Sequence, residues 1–136
     1  MKILNKIKNV LLKQKGIEFA YLFGSYARNE ETELSDIDIA IYQKEQKSKY
    51  EIKVYELEIE AKLNEKIPKQ KFDVRSLNDA PIVVIGKIIN EGKLIFTRNE
   101  SLLTDYIVKN RIKYMDYMLV YKPLFKQRYK EMLNGR

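Results

Sequence analysis

Apolar and polar positions along the chain follow two periods that trade places several times. Ile3, Leu4, Ile7, Val10 and Leu11 recur every three or four residues with lysines opposite, which predicts a helix over Ile3–Lys15 with Gly16 as its C-cap. Ile17–Phe23 has the β-branched and aromatic content of a buried strand. Ser35–Tyr42 alternates, so Ile37, Ile39 and Ile41 face one way while Asp36 and Asp38 face the other. Ile52, Tyr55 (or Val54), Ile59 and Leu63 mark a second long helix over Ser48–Lys66, rich in Glu and Lys and suited to covering a sheet.

Pro68 precedes a strand at Lys71–Leu77 in which Phe72 and Val74 face the core and Asp73 and Arg75 face away. Whether that outer side is the one bearing Asp36 and Asp38 depends on strand register. Asp79-Ala80-Pro81 predicts a helix start, with Asp79 as N-cap and proline at the first position, running through Ile82 to Asn90 until Glu91-Gly92 ends it. A short strand, Lys93–Thr97, follows. From Glu100 to about Tyr121, Leu102, Leu103, Tyr106, Ile107, Tyr114, Met118 and Tyr121 form a stripe expected to pack against the domain, and Pro123 should interrupt or kink it. This order predicts an α/β (α+β) fold, a small mixed sheet flanked by helices, as one domain over 1–136 with a helical C-terminal segment from about 100.

Composition narrows the chemistry. A chain of 136 residues that is 45% hydrophobic and 33% charged suits one domain with a modest core. It has no cysteine and no histidine, so thiolate and imidazole chemistry are excluded and any reaction runs on carboxylates, hydroxyls, Lys and Arg. No apolar run approaches the ~20 residues that cross a bilayer, and the opening Met1–Lys6 lacks the apolar centre of a signal peptide, so a cytoplasmic protein is expected. The net charge of +7 suits a polyphosphate ligand, an acidic protein or nucleic acid. The lysines are spread along the chain without a zinc-finger, KH-loop or RNP signature, so direct nucleic-acid binding is not expected.

The candidate chemistry sits between the first two strands. Gly24-Ser25 breaks the first strand where a helix could begin: glycine lets backbone approach a ligand, and the serine hydroxyl with free N–H groups of a first turn suits a phosphate. Ten residues separate Ser25 from Asp36-Ile37-Asp38, whose adjacent carboxylates repel one another unless a cation lies between them. Oxygen donors of this kind suit Mg²⁺ completed by water and substrate phosphates. Singly, Asp36 and Asp38 would pass for solvated strand-edge carboxylates, and Arg28 for a helix-surface residue; the phosphate turn ahead of the pair points to a nucleotide site.

Gly24-Ser25, ten residues, then Asp36-x-Asp38 resembles the signature of the polymerase-β-type nucleotidyltransferases, above all the minimal members that act as antitoxins beside HEPN-type ribonuclease toxins. Where that family often has Ala-Arg-Gly, this chain has Ala27-Arg28-Asn29, and Asn tolerates the left-handed backbone best after glycine. The resemblance implies a third carboxylate, Asp73, and two Mg²⁺ ions held by Asp36, Asp38 and Asp73. It also implies an ATP triphosphate contacted by Gly24, Ser25 and Arg28, and attack of an acceptor hydroxyl on the α-phosphate. The implied acceptor is a tyrosine of a cognate HEPN toxin, silenced by AMP transfer. The alternatives are an antitoxin that neutralises by binding alone and a nucleotidyltransferase acting on a small molecule. The aromatic and basic tail from Leu124 to Arg136 is expected to contact the toxin.

Overall fold

A computed structural model describes residues 2–24, 26–27 and 36–134. Four strands, β1 (Ile17–Phe23), β2 (Ile37–Gln43), β3 (Phe72–Ser76) and β4 (Lys93–Thr97), form one sheet in the order β3-β2-β1-β4. β1 runs antiparallel to β2 and β4, whereas β2 and β3 are parallel, as the helical crossover α2 (Lys49–Lys66) between them requires. The mixed sheet expected from the sequence is therefore present. α1 (Lys2–Leu12) and α2 cover one face, where Ile7, Leu11, Ile59 and Leu63 meet Ile37, Ile39, Ile41 and Val74. α3 (Ile82–Glu91) and the start of α4 (Glu100–Asp116) cover the other, packing Ile85, Ile88 and Leu103 against Phe19, Tyr21 and Ala40. None of the described helices is long and apolar enough to cross a membrane.

Local chemistry moves several expected boundaries. α1 stops at Leu12 instead of Lys15, because Lys13 N–H donates to Val10 O and Gln14 N–H to Leu11 O, a tightened last turn. Gly16 therefore lies in the turn ahead of β1 and does not cap the helix. That turn is tied down by Arg98, which donates to the carbonyls of Ile17 at 2.7 Å, Leu12 at 2.6 Å and Gln14 at 3.1 Å. Ser48 caps α2 as part of a reciprocal pair with Glu51. Asp79 is not a cap: it ends a short 3₁₀ turn, Leu77–Asp79, and Pro81 stands at the N-cap of α3 without a side-chain bond.

The C-terminal segment departs furthest from expectation. Pro123, which has no N–H to donate, follows a π-helical turn at Tyr117–Tyr121 in which Lys122 N–H reaches back five residues to Tyr117 O. The widened turn absorbs the proline, and α5 (Lys122–Leu133) continues the helix without a break. Met118 and Tyr121, expected to pack on the domain, are exposed, and so is every large apolar side chain beyond them. The domain's core runs out before this helix does.

Candidate active site

The site is assembled by strand register. Asp38 on β2 is the direct partner of Asp73 on β3, and in a parallel pair register partners share a face. Alternation puts both on the side opposite Ile37, Ile39 and Val74, which are buried beneath α1 and α2. Across the sheet, Asp38 also pairs with Phe23, the last residue of β1. Gly24 follows with φ of 72°, a left-handed conformation that side chains rarely adopt. A Cβ there would run into Asp38 Oδ2, and Asp38 Cγ would lie 3.2 Å from it. The backbone bend at Gly24 and the Asp38 carboxylate therefore share one small volume.

The remaining expected residues are distributed as follows. Asp36 stands one residue ahead of β2, exposed, while Asp38 and Asp73 are half-buried. Ser25 and Arg28 lie outside the described residues, as does most of the stretch after Gly24-Ser25 where a helix could begin. Tyr26 and Ala27 are buried, and Tyr26 ends at Gln70, with its hydroxyl 3.5 Å from Oε1. The chain leaving Gly24 is thus pinned to the sheet end that carries Asp38 and Asp73. Asp73 is turned along its own strand, where Oδ1 accepts from Arg75 Nε at 2.9 Å. Among the described residues no three acidic side chains converge on one cation position. Arg75 carries a raised proton affinity, first from the Asp73 hydrogen bond and then from the Asp73 charge, with Glu56 and Asp38 adding to it. Among the described residues it is a positive charge bonded directly to one of the strand carboxylates, Asp73.

Two cavities bear on function. A cleft of about 160 Å³ between Phe23, Gly24, Val84, Lys87, Ile88 and Glu91 opens beside the Gly24 bend. A larger groove of about 700 Å³ lies towards the other end of β2, between Tyr42, Asn78 and the length of α4 from Ser101 to Lys113, and its lining includes none of the three aspartates. Sequence reading placed Arg75 on the correct side but missed its pairing with Asp73. The i,i+2 spacing on one strand carries that signal. It also missed Asn78, whose side chain accepts from Gln43 N–H at 2.9 Å and donates to Gln43 O at 2.6 Å, extending the end of β2.

Residues 5–101 match the family model for polymerase β nucleotidyltransferases, a span that takes in the Gly24 bend and all three aspartates. The chain belongs to the polymerase β nucleotidyltransferase family. This nucleotidyltransferase is 38% identical over 90 residues, 66% of its own length and 90% of the relative's, to a protein of Methanocaldococcus jannaschii named as a protein adenylyltransferase. Its fold resembles a chain of a solved toxin–antitoxin structure with AMP-PNP, at 21% identity with a TM-score of 0.66 over 96% of each chain. It also resembles a chain of the tri-AMPylated HEPN toxin of Shewanella oneidensis in complex with MNT antitoxin. That likeness has 21% identity and a TM-score of 0.71, covering 94% of this chain and 97% of that one. At such identities the structural likeness speaks for the fold.

Proposed function

We propose that this nucleotidyltransferase transfers AMP from ATP to a tyrosine of a HEPN-type ribonuclease toxin, neutralising it in the cytoplasm as an antitoxin. The observation that carries the reading is the register of Asp38 with Asp73 beside the left-handed bend at Gly24. The relative named as a protein adenylyltransferase and the fold shared with a chain of a complex containing an AMPylated toxin support the same acceptor class.

The donor set suits Mg²⁺: only hard carboxylate oxygens are present, two of them on adjacent strands, and Arg75 now supplies the positive charge that Asp73 accepts. Asp36, Asp38 and Asp73 would hold the metal, which when bound polarises phosphoryl oxygens and lowers the pKa of a hydroxyl. The chain's own residues do the rest. The backbone at Gly24, with Ser25 and Arg28 after it, holds the triphosphate so that the α-phosphate faces the acceptor, a positioning task. The cleft lined by Phe23, Val84 and Ile88 beside Gly24 takes apolar ring surface of the nucleotide. Asp73, released from Arg75, accepts the proton of the attacking tyrosine hydroxyl, and pyrophosphate leaves from the opposite side of the α-phosphate. No histidine is available for that proton.

The test is Asp36→Asn combined with Asp38→Asn, which keeps side-chain size and removes the charge. Labelled AMP transfer to the toxin should vanish while the melting temperature holds. Transfer that survives the double change overturns the metal assignment. Loss of transfer with toxin neutralisation intact would instead mean an antitoxin that acts by binding alone.

A further inference from the structure

Helix α4 is apolar on two opposite sides. Leu103, Tyr106, Asn110 and Tyr114, at spacings of three and four, turn towards the domain. Tyr114 fits against Gly86 of α3, where a Cβ would collide with the tyrosine ring, so the two helices meet at close range. Half a turn round, Val108, Ile112 and Met115 of α4, with Leu119 in the π-helical turn after it, repeat at four, three and four residues and are 53%, 58%, 58% and 71% exposed. A helix apolar on two sides is built to be covered on both, and none of the described residues covers the second. The apolar surface continues beyond the domain through Phe125, Tyr129 and Met132, with the rings of Tyr121 and Phe125 stacked 6.4 Å apart. A run of exposed apolar side chains of this kind marks an interaction surface.

Charge identifies what covers it. Between 108 and 134 seven lysines and arginines stand against two carboxylates, Asp116 and Glu131. A second copy of this chain, itself at +7, would set like charges side by side along the arm. Nucleic acid would use the cations and leave the Val, Ile, Met and Leu stripe wet. A protein groove that is apolar along its floor and edged with Asp and Glu satisfies both features. The fold likeness to a chain solved in a toxin–antitoxin complex covers 94% of this chain, too much to leave the whole arm out.

We infer that the outer stripe of α4 and the arm beyond it form the docking surface for the acceptor protein, which offers an apolar, carboxylate-edged groove and in the proposed reaction is the HEPN-type toxin. This rests on the reading of the chain as an enzyme that modifies that toxin. The contact begins at Val108, well ahead of the tail from Leu124 expected from sequence. Because α4 is anchored on α3, whose Val84, Lys87, Ile88 and Glu91 line the cleft beside Gly24, docking there orients the acceptor relative to the aspartates.

The experiment uses the full chain and the purified toxin. Ile112→Glu with Met115→Glu should weaken toxin binding by about 30-fold or more. ATP binding by calorimetry and the melting temperature should stay as in the parent, since both side chains are exposed. Lys126→Glu with Arg128→Glu should slow association and flatten its salt dependence. Unchanged toxin affinity in both variants overturns the docking surface. So does a parent chain that dimerises by light scattering, or binds anionic phosphatidylserine vesicles, through the stripe that Ile112→Glu disrupts. A parent chain that binds the toxin through this stripe without transferring AMP would sustain the surface and overturn the enzymatic reading.

Discussion

At the scale of single residues, the site depends on how a pair of like charges is tolerated. Asp38 and Asp73 are register partners on parallel strands, about 4.8 Å apart in the direction of pairing, and carboxylates so placed repel unless a cation joins them. Arg75, two residues along β3 and therefore on the same side, brings positive charge to Asp73 through its 2.9 Å bond. Arg75→Gln should therefore leave the carboxylates more negative and tighten Mg²⁺ binding several-fold in the absence of nucleotide, read by calorimetry. An unchanged or weaker affinity would show that Arg75 does not balance them. The Gly24-Ser25 and Asp36-x-Asp38 spacing was legible because both lie within one hairpin-like unit of chain. The Asp73–Arg75 bond was not, since strand phase shows a side and not which neighbour a carboxylate chooses.

At the scale of elements, β3 is an edge strand with outward N–H groups, and α2 satisfies them. Val74 N–H donates to Glu60 Oε2 at 2.9 Å, and Ser76 N–H to Glu56 Oε2 at 2.8 Å. Glu56 is buried for this purpose, with Lys53 near its other oxygen at 3.8 Å. The signal was available: Ile52, Glu56, Ile59 and Leu63 recur at four, three and four, so a glutamate occupies a core position in an otherwise apolar row. Glu56→Ala orphans a buried N–H and should lower stability by about 2 kcal/mol, seen as a shifted urea midpoint with unchanged slope. Glu56→Gln keeps an acceptor and should cost less. A loss no greater for alanine than for glutamine would remove the edge-capping role.

At the scale of the whole molecule, the tyrosines buried on the α3/α4 side set the alkaline limit of the fold. Phe19 stacks on Tyr42 at 4.9 Å, and Tyr106 closes the group at 5.1 Å from Phe19 and 4.9 Å from Tyr42. The Tyr106 hydroxyl is buried without a hydrogen-bond partner, and burial first, then Tyr42 and Tyr21, raises its proton affinity far above the usual phenol value. Burial raises Tyr21 as well, with Arg111 acting against it; on the opposite, α1/α2 face burial raises Tyr55, where Glu58 adds to the effect and Arg98 opposes it. A raised folded-state pKa leaves stability intact below the unfolded value of about 10 and lets it fall as pH climbs beyond, because the unfolded chain then sheds protons that the folded one keeps. Tyr106→Phe should flatten that fall and gain up to about 1 kcal/mol near neutrality by removing an unpaired hydroxyl. Thermal melts of both proteins from pH 7 to 11 would show it, and parallel curves would not. What the sequence determined by itself was local: alternation and helical spacing set the strands, the helices and their order, and the motif named the chemistry, because periods and short spacings are written in neighbouring residues. What only the tertiary structure decided was non-local: the register bringing Asp73 beside Asp38, the Arg75 charge bonded to Asp73, and the exposure of the arm. Those depend on how much apolar surface the sheet and its four covering helices can bury, a sum over the whole chain that no single stretch contains.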